Sequence, residues 1–210
     1  MHNERIQNMA DNQNNRPARG KKSADALREQ RRAAREAVLA LLFETEYHED
    51  EASETIYLRA AEARGIDTTD RYIRKEYYGI MDHLATIDDL LSRHAKGWRT
   101  DRLSRVSRAV LRLGAYEVVY ADKIPAPIAI NEAVELAKKF DDPKARAFIN
   151  GVLNAVKDEL EKNGGVIPEV EVPAEAVAEA EAEAVAEVET ADEATEAVEI
   201  ADAAETADAE

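Results

Sequence analysis

Apolar residues in the middle of this 210-residue chain recur every three or four positions, and no strand-like alternation persists between the two ends. That period predicts helices. Ser23 caps a first one ending near Phe43, with Leu27, Ala34, Val38 and Leu41 facing inward. A second runs from about Glu51 to Arg64 and stops at Gly65. Thr69 opens a third that continues through His83, with Tyr72, Ile73, Tyr77, Ile80 and Leu84 on its apolar side. Thr86, followed three residues later by Asp89, resembles a capping box and starts a short fourth helix that Gly97 ends. Leu103, Val106, Val110, Leu113 and Tyr120 line a fifth, and the segment from Pro125 to Pro127 breaks the pattern. A sixth spans roughly Ile128 to Phe140. The seventh takes Asp142 as its cap and Pro143 as its first residue, with Gly164 and Gly165 just past its end. Seven short helices predict an all-α bundle.

The formal net charge of −16 changes this picture only after it is divided along the chain. Residues 166–210 hold sixteen Asp or Glu and no Lys or Arg, which leaves the body with as many acids as bases. From Arg16 to Arg35 there are eight basic residues against Asp25 and Glu29. The expected organisation is a disordered basic arm over residues 1–23, a helical domain over 24–165 and a disordered acidic tail over 166–210. The tail, built from Ala, Glu and Val without aromatic or leucine anchors, reads first as a solubilising appendage and second as a competitor for a basic surface.

Composition also excludes chemistry. There is no cysteine, so disulfides, thiol catalysis and Cys-ligated zinc are out, and a reducing compartment, the cytoplasm, is the simplest expectation. No apolar run is long enough for a membrane span, and the polar N-terminal stretch has no secretory core. The four histidines, His2, His48, His83 and His94, form no i, i+4 pair, and no HExxH, Walker A, GxGxxG or GxSxG pattern occurs. No metal and no cofactor are expected. His83 and His94 read as helix-end residues, and Trp98, the single tryptophan, as an anchor between helical halves.

Candidate binding residues lie at the two ends of the helical body. Arg31, Arg32 and Arg35 occupy i, i+1 and i+4, so Arg31 and Arg35 share a helix face, and the basic arm before them favours phosphate contact. Ile149, Val152, Leu153, Val156 and Leu160 form one core stripe of the last helix, and Phe148 sits about 100° from Ile149, at its edge. Two readings stand for Phe148. It half-fills the core, or, flanked by Lys144 and Arg146, it offers an aromatic face to an unpaired base. Gly151 costs about 1 kcal/mol in a helix interior relative to alanine, and close packing of another helix is the favoured compensation, a ligand backbone the alternative.

The stretch from Ile124 to Leu153, IPAPIAINEAVELAKKFDDPKARAFINGVL, resembles the signature of the NusB family. The resemblance extends through GWRTDRLSRVSRAVLRLGAYEV (Gly97 to Val118) and back to RRAAREAVLALLFE (Arg31 to Glu44). It implies a compact helical bundle of two subdomains and a non-enzymatic RNA-binding adaptor. Such adaptors bind boxA RNA of nascent ribosomal RNA together with NusE, a small-subunit ribosomal protein, within an antiterminating RNA polymerase complex with other Nus factors. On that basis Phe148 of the Phe-Ile-Asn-Gly-Val-Leu motif carries over as RNA-binding, and so do Arg31, Arg32 and Arg35, with Arg28, Lys144 and Arg146 as extensions. Two departures stand out: Ala147 replaces the lysine common before the motif Phe, and Ser107 replaces an acidic residue near the NusE surface. Asp101 and Ser107 are therefore the candidate partner contacts. Two other classes fit less well: a helical domain like that fused to ribosomal RNA cytosine methyltransferases, and a protein-interaction module without RNA.

Overall fold

A computed structural model describes residues 17–48, 50–95 and 103–170, with side chains from residue 25 onward. Most of the basic arm, the acidic tail beyond 170 and the stretch 96–102, with Gly97, Trp98 and Asp101, lie outside the described residues. Among the described residues there are seven helices and no strand: α1 (Pro17–Thr45), α2 (Ser53–Arg64), α3 (Arg71–Asp82), α4 (Leu84–His94), α5 (Arg105–Tyr120), α6 (Ala126–Phe140) and α7 (Ala145–Lys162).

Local chemistry sets most of the boundaries. Gly65 adopts φ 64° after α2, and the Ile66 N–H returns to the Ala61 carbonyl at 2.9 Å, a left-handed stop that glycine accepts without strain. α3 is capped by Asp70, whose carboxylate accepts from the Tyr72 and Ile73 N–H groups at 2.8 and 3.2 Å. Thr69, the expected cap, instead donates to Asp67. α4 follows α3 with only His83 between them, so no capping box is formed at Thr86. Ser104 caps α5 by accepting from the Ser107 N–H at 2.9 Å. Asp142 does turn the chain into α7, accepting from the Lys144 N–H at 2.7 Å, but the helix itself starts at Ala145.

Packing centres on α5, which touches α1, α3, α4, α6 and α7. Ala109, Val110, Leu111, Leu113, Ala115 and Tyr116 are all buried, so α5 is apolar nearly all round, as a central helix must be. One group forms as α1 packs on α2 and α3, the other as α6 and α7 pack on each other and on α5, with α4 against α5 and α7. In α7 the stripe Ile149, Val152, Leu153 and Val156 is buried as its spacing requires. Two glycines allow helices to approach closely. A Cβ on Gly114 would lie 2.6 Å from Leu153 Cδ1, and one on Gly79 would run into the Tyr116 hydroxyl and ring.

The chain ends depart from the expected boundaries. α1 begins at Pro17, ahead of Ser23, and Leu27, placed inward by periodicity, is 46% exposed. Past α7, Gly164 and Gly165 take φ 69° and 85° and turn the chain back along the body. Ile167 is buried there, and the Glu169 carboxylate accepts from Thr86 Oγ1 and Tyr120 Oη, each at 2.8 Å. His83 stacks on Tyr120 with ring centroids 4.0 Å apart and lies 3.2 Å from the same carboxylate. Residues 166–170 thus belong to the folded body. At the α3–α5 crossing, Gly79→Ala is expected to drive a methyl into the buried Tyr116 ring and cost about 1–3 kcal/mol in chemical denaturation, and Tyr116→Leu in the same chain to recover part of that stability.

Candidate nucleic-acid interface

α1 has two halves with different surroundings. From Asp25 to Ala33 every residue is exposed, whereas from Ala34 onward the helix packs into the bundle. That stretch is therefore a solvated segment of helix, a rod standing clear of the core, with Arg28, Arg31 and Arg32 against Asp25 and Glu29. Among the described residues Arg28 meets only Asp25, at 3.4 Å across an exposed helical turn, an interaction worth a few tenths of a kcal/mol at most. Arg31 is exposed and meets no carboxylate among the described residues. Arg32 lies where the rod joins the body, its Nε 3.4 Å from Glu132 of α6.

Arg35 does not share this surface, which corrects its assignment to direct phosphate contact. Only 5% of the residue is exposed, and its Nε donates to both carboxylate oxygens of Glu117 on α5, at 2.9 and 3.2 Å. Tyr72 of α3 donates its hydroxyl to the same carboxylate at 2.7 Å. Burial works against the Arg35 charge, but Glu117, Tyr72 and Glu132 together hold its pKa above the ordinary value. Burial raises the Glu117 pKa despite Arg35 and the Tyr72 hydroxyl. Removing either partner strands a buried charge, a cost of about 3–5 kcal/mol. The sequence carried a signal: Arg35, Glu76 and Glu117 each interrupt an apolar stripe, with Val38 and Leu42, with Ile73 and Ile80, and with Leu113 and Tyr120. Charged residues at core positions of different helices imply that they meet.

Glu76 is the third member of that group. It is 2% exposed, one of its carboxylate oxygens has no hydrogen-bond partner among the described residues, and burial followed by the nearby Glu117 charge pushes its pKa up to about 7. A third buried acid, Glu46 just past the end of α1, is held by Arg108 at 2.8 Å and by Arg112, which also grips Asp88 of α4 at 2.8 and 2.7 Å.

At the start of α7 the side chains face outward. Lys144 is exposed, Arg146 is partly exposed with its Nε 3.3 Å from the Pro143 carbonyl, and Phe148 is half-buried against the core. Gly151 is exposed with nothing within 4 Å of the position a Cβ would take, so helix packing is not what it serves. Beside it Asn154 donates to the Asn150 carbonyl at 2.8 Å, and both asparagines line a shallow groove with Asn131 and Lys157. The α1 and α7 cations lie on separate helices, linked through α6, where Lys139 in the last turn pairs with Glu36 of α1 at 2.6 Å. Ser107 is 4% exposed and donates its hydroxyl to Asp141, so it is a clasp between α5 and the α6–α7 turn and is not available as a partner contact. Asp101 lies outside the described residues. His94 lies 2.5 Å from Glu159 and joins α4 to α7. Among the described residues no group of acids and histidines is placed to hold a metal ion, and no helix is long and apolar enough to cross a membrane.

An all-helical bundle with a projecting cationic helix and a second cationic helix start defines a nucleic-acid-binding class of protein more readily than an enzyme. Comparison with known proteins narrows the class: the NusB family model matches residues 32–158, and the chain belongs to that family. It is 40% identical over 131 residues to the transcription antitermination protein NusB of Bacillus velezensis, covering 62% of this chain and 98% of that protein. Its identity to the Myxococcus xanthus protein of the same name is also 40%, over 136 residues, covering 63% and 97%. Among solved structures, NusB of T. maritima is 37% identical with a TM-score of 0.56, covering 61% of this chain and 91% of that one. A complex of the antitermination factors NusB and NusE with double-stranded RNA matches at 28% identity and a TM-score of 0.55, covering 61% and 96%. The family is one of transcription antitermination proteins, not enzymes.

The buried Glu76 sets a pH dependence. A carboxyl whose folded pKa is raised contributes stability that is full below the unfolded value, near 4.5, and is lost as pH rises through about 7. Glu76→Gln is therefore expected to stabilise the protein at pH 8 while changing little at pH 4.5, read as the difference in denaturation midpoint between the two pH values. An equal effect at both pH values overturns the assignment.

Proposed function

We propose that this protein is a transcription antitermination factor that binds boxA-type RNA of nascent ribosomal RNA together with NusE. In this reading it acts in the cytoplasm within an RNA polymerase antitermination complex that holds other Nus factors. The observation that carries it is the exposed half of α1, where Arg28, Arg31 and Arg32 stand in solvent on a helix whose buried half is locked into a NusB-type body. Lys144 and Arg146 add cations beside Phe148 at the positive end of the α7 dipole. A single strand uses such parts in two ways: phosphates follow the cations and a base stacks on the half-exposed ring. Arg35 has a different role, fixing α1 in the body so that the rod is presented at a defined angle.

Titration of boxA RNA, with and without NusE and across a salt series, tests the reading. Replacing Arg28, Arg31 and Arg32 by alanine is expected to weaken binding, and to flatten the dependence of log K on log salt by about 0.7 for each phosphate no longer neutralised, with folding retained. Unchanged affinity and slope remove the α1 rod from the RNA site.

Phe148→Ala separates stacking from packing. As a stacking platform Phe148 contributes about 1–3 kcal/mol to RNA affinity, with a smaller effect on stability. As a core residue its truncation costs about 3–5 kcal/mol of stability instead. Denaturant unfolding and RNA affinity measured on the same variant rank the two, and reduced stability with unchanged affinity sinks the stacking assignment.

A further inference from the structure

Between α1 and α6 lies a cleft of about 390 Å³, lined among others by Arg32, Arg35, Glu132, Lys138 and Lys139. These four cations are each matched to a carboxylate of the same protein. Arg35 is held by Glu117, Lys139 by Glu36 at 2.6 Å, Lys138 by Glu135 at 3.6 Å, and Arg32 by Glu132 at 3.4 Å. The four pairs differ in how readily they yield. Arg35 is buried, its Nε–H shared between both Glu117 oxygens at 2.9 and 3.2 Å, and stays where it is. Arg32, by contrast, is 48% exposed and linked to Glu132 by one long contact, while the same Glu132 oxygen also lies 3.8 Å from Arg35 Nη1. Glu132 therefore sits between a fixed arginine behind it and a movable one in front.

We infer that Glu132 is a built-in counter-ion that holds the place of an RNA phosphate at Arg32, and that a phosphodiester entering the α1–α6 cleft binds by displacing it. This rests on the RNA-binding reading above and deepens it. The physical basis is exchange of one acceptor for another. A guanidinium offers its donors to a carboxylate or a phosphate oxygen with the same geometry, and the phosphate has only to outcompete a single half-solvated contact. Once displaced, Glu132 keeps Arg35 as a neighbour and is not stranded in an apolar site. The consequence is discrimination. A polyanion that meets the surface through one phosphate gains nothing from Arg32, because the exchange is close to balanced, whereas a strand already aligned by Arg31 and its neighbours bears that cost easily. The RNA site is then held below its maximal affinity by its own protein.

The experiment uses the full chain and a single-stranded boxA RNA oligonucleotide. Glu132→Gln removes the competitor's charge and keeps its volume. It is expected to tighten binding roughly two- to fivefold at low salt, the scale of one partly exposed ion pair, with the salt slope little changed because Arg32 takes the same phosphate in both proteins. In an Arg32→Ala background the same substitution should give no gain. Glu135→Gln, an equal charge change one turn along α6 on the Lys138 pair, should give none either. Unchanged or weaker binding by a folded E132Q protein overturns the inference, and so does an equal gain from E135Q or in the R32A background. Should E132Q fail to fold, the NMR signal of Arg32 Nε–H in the unmodified protein decides. It is expected to move on RNA addition while that of Arg35 stays in place, and an unmoved Arg32 signal overturns the exchange. If the unmodified protein binds no RNA, both the RNA reading and this one fall. If it binds, and Arg31→Ala weakens it while E132Q changes nothing, only the exchange at Arg32 fails.

Discussion

Helix α1 depends on a charge placed where a charge is least welcome. Arg35 enters the core between α3, α5 and α6, and it is tolerable there only because Glu117 takes two of its hydrogen bonds and Tyr72 satisfies the same carboxylate. A buried ion pair of this kind adds little net stability compared with an apolar replacement, but it tolerates only one arrangement of its partners. Leucine in place of Arg35 would let α1 slide or rotate by a fraction of a turn and still bury its side chain. The guanidinium does not. Four helices are brought into register by a single group, and the exposed rod ahead of it inherits that register.

This division of labour within one helix explains why neighbouring arginines end in different roles. Arg31, Arg32 and Arg35 are alike in composition, but the helix turns about 100° per residue and meets the bundle partway along. Arg31 faces water, Arg32 straddles the boundary and Arg35 is inside. The orientation of the exposed cations is thus fixed by a residue that is itself buried.

Much of the fold is legible in the residues. Seven helices, their order and the stops at Gly65 and at Gly164 and Gly165 follow from spacing and from the conformations that glycine permits, and the described residues have them. What does not read through is tertiary. Leu27 belongs to a helical stripe that continues past the point where the body ends, so periodicity places it inward and the structure leaves it in water. Thr86 has the sequence of a cap but sits inside α4, where the strap beyond α7 uses its hydroxyl. A family pattern points to Ser107 as a surface contact, and the usual reason for a glycine in a helix points to packing at Gly151. Both readings miss the tertiary surroundings: Asp141 of the α6–α7 turn covers Ser107, and nothing among the described residues covers Gly151. In the candidate site, the cations and Phe148 can be picked out from composition and spacing, and Glu117 shows as a charge in an apolar stripe, whereas Glu132 and Tyr72 cannot be picked out. Their importance lies in partners up to 100 residues away along the chain.

The strap that follows the two left-handed glycines has a geometric consequence for whatever is joined to it. α7 is 18 residues long, about 27 Å, and it carries Lys144 and Phe148 at one end and releases the chain at the other. Ile167 and Glu169 then pin the chain to the α3–α4 corner. Any appended segment is rooted there, at the opposite end of α7 from Lys144 and Phe148, as a cable is clamped at the back of an instrument. A fluorophore fused beyond the clamp is therefore attached at the opposite end of α7 from Phe148.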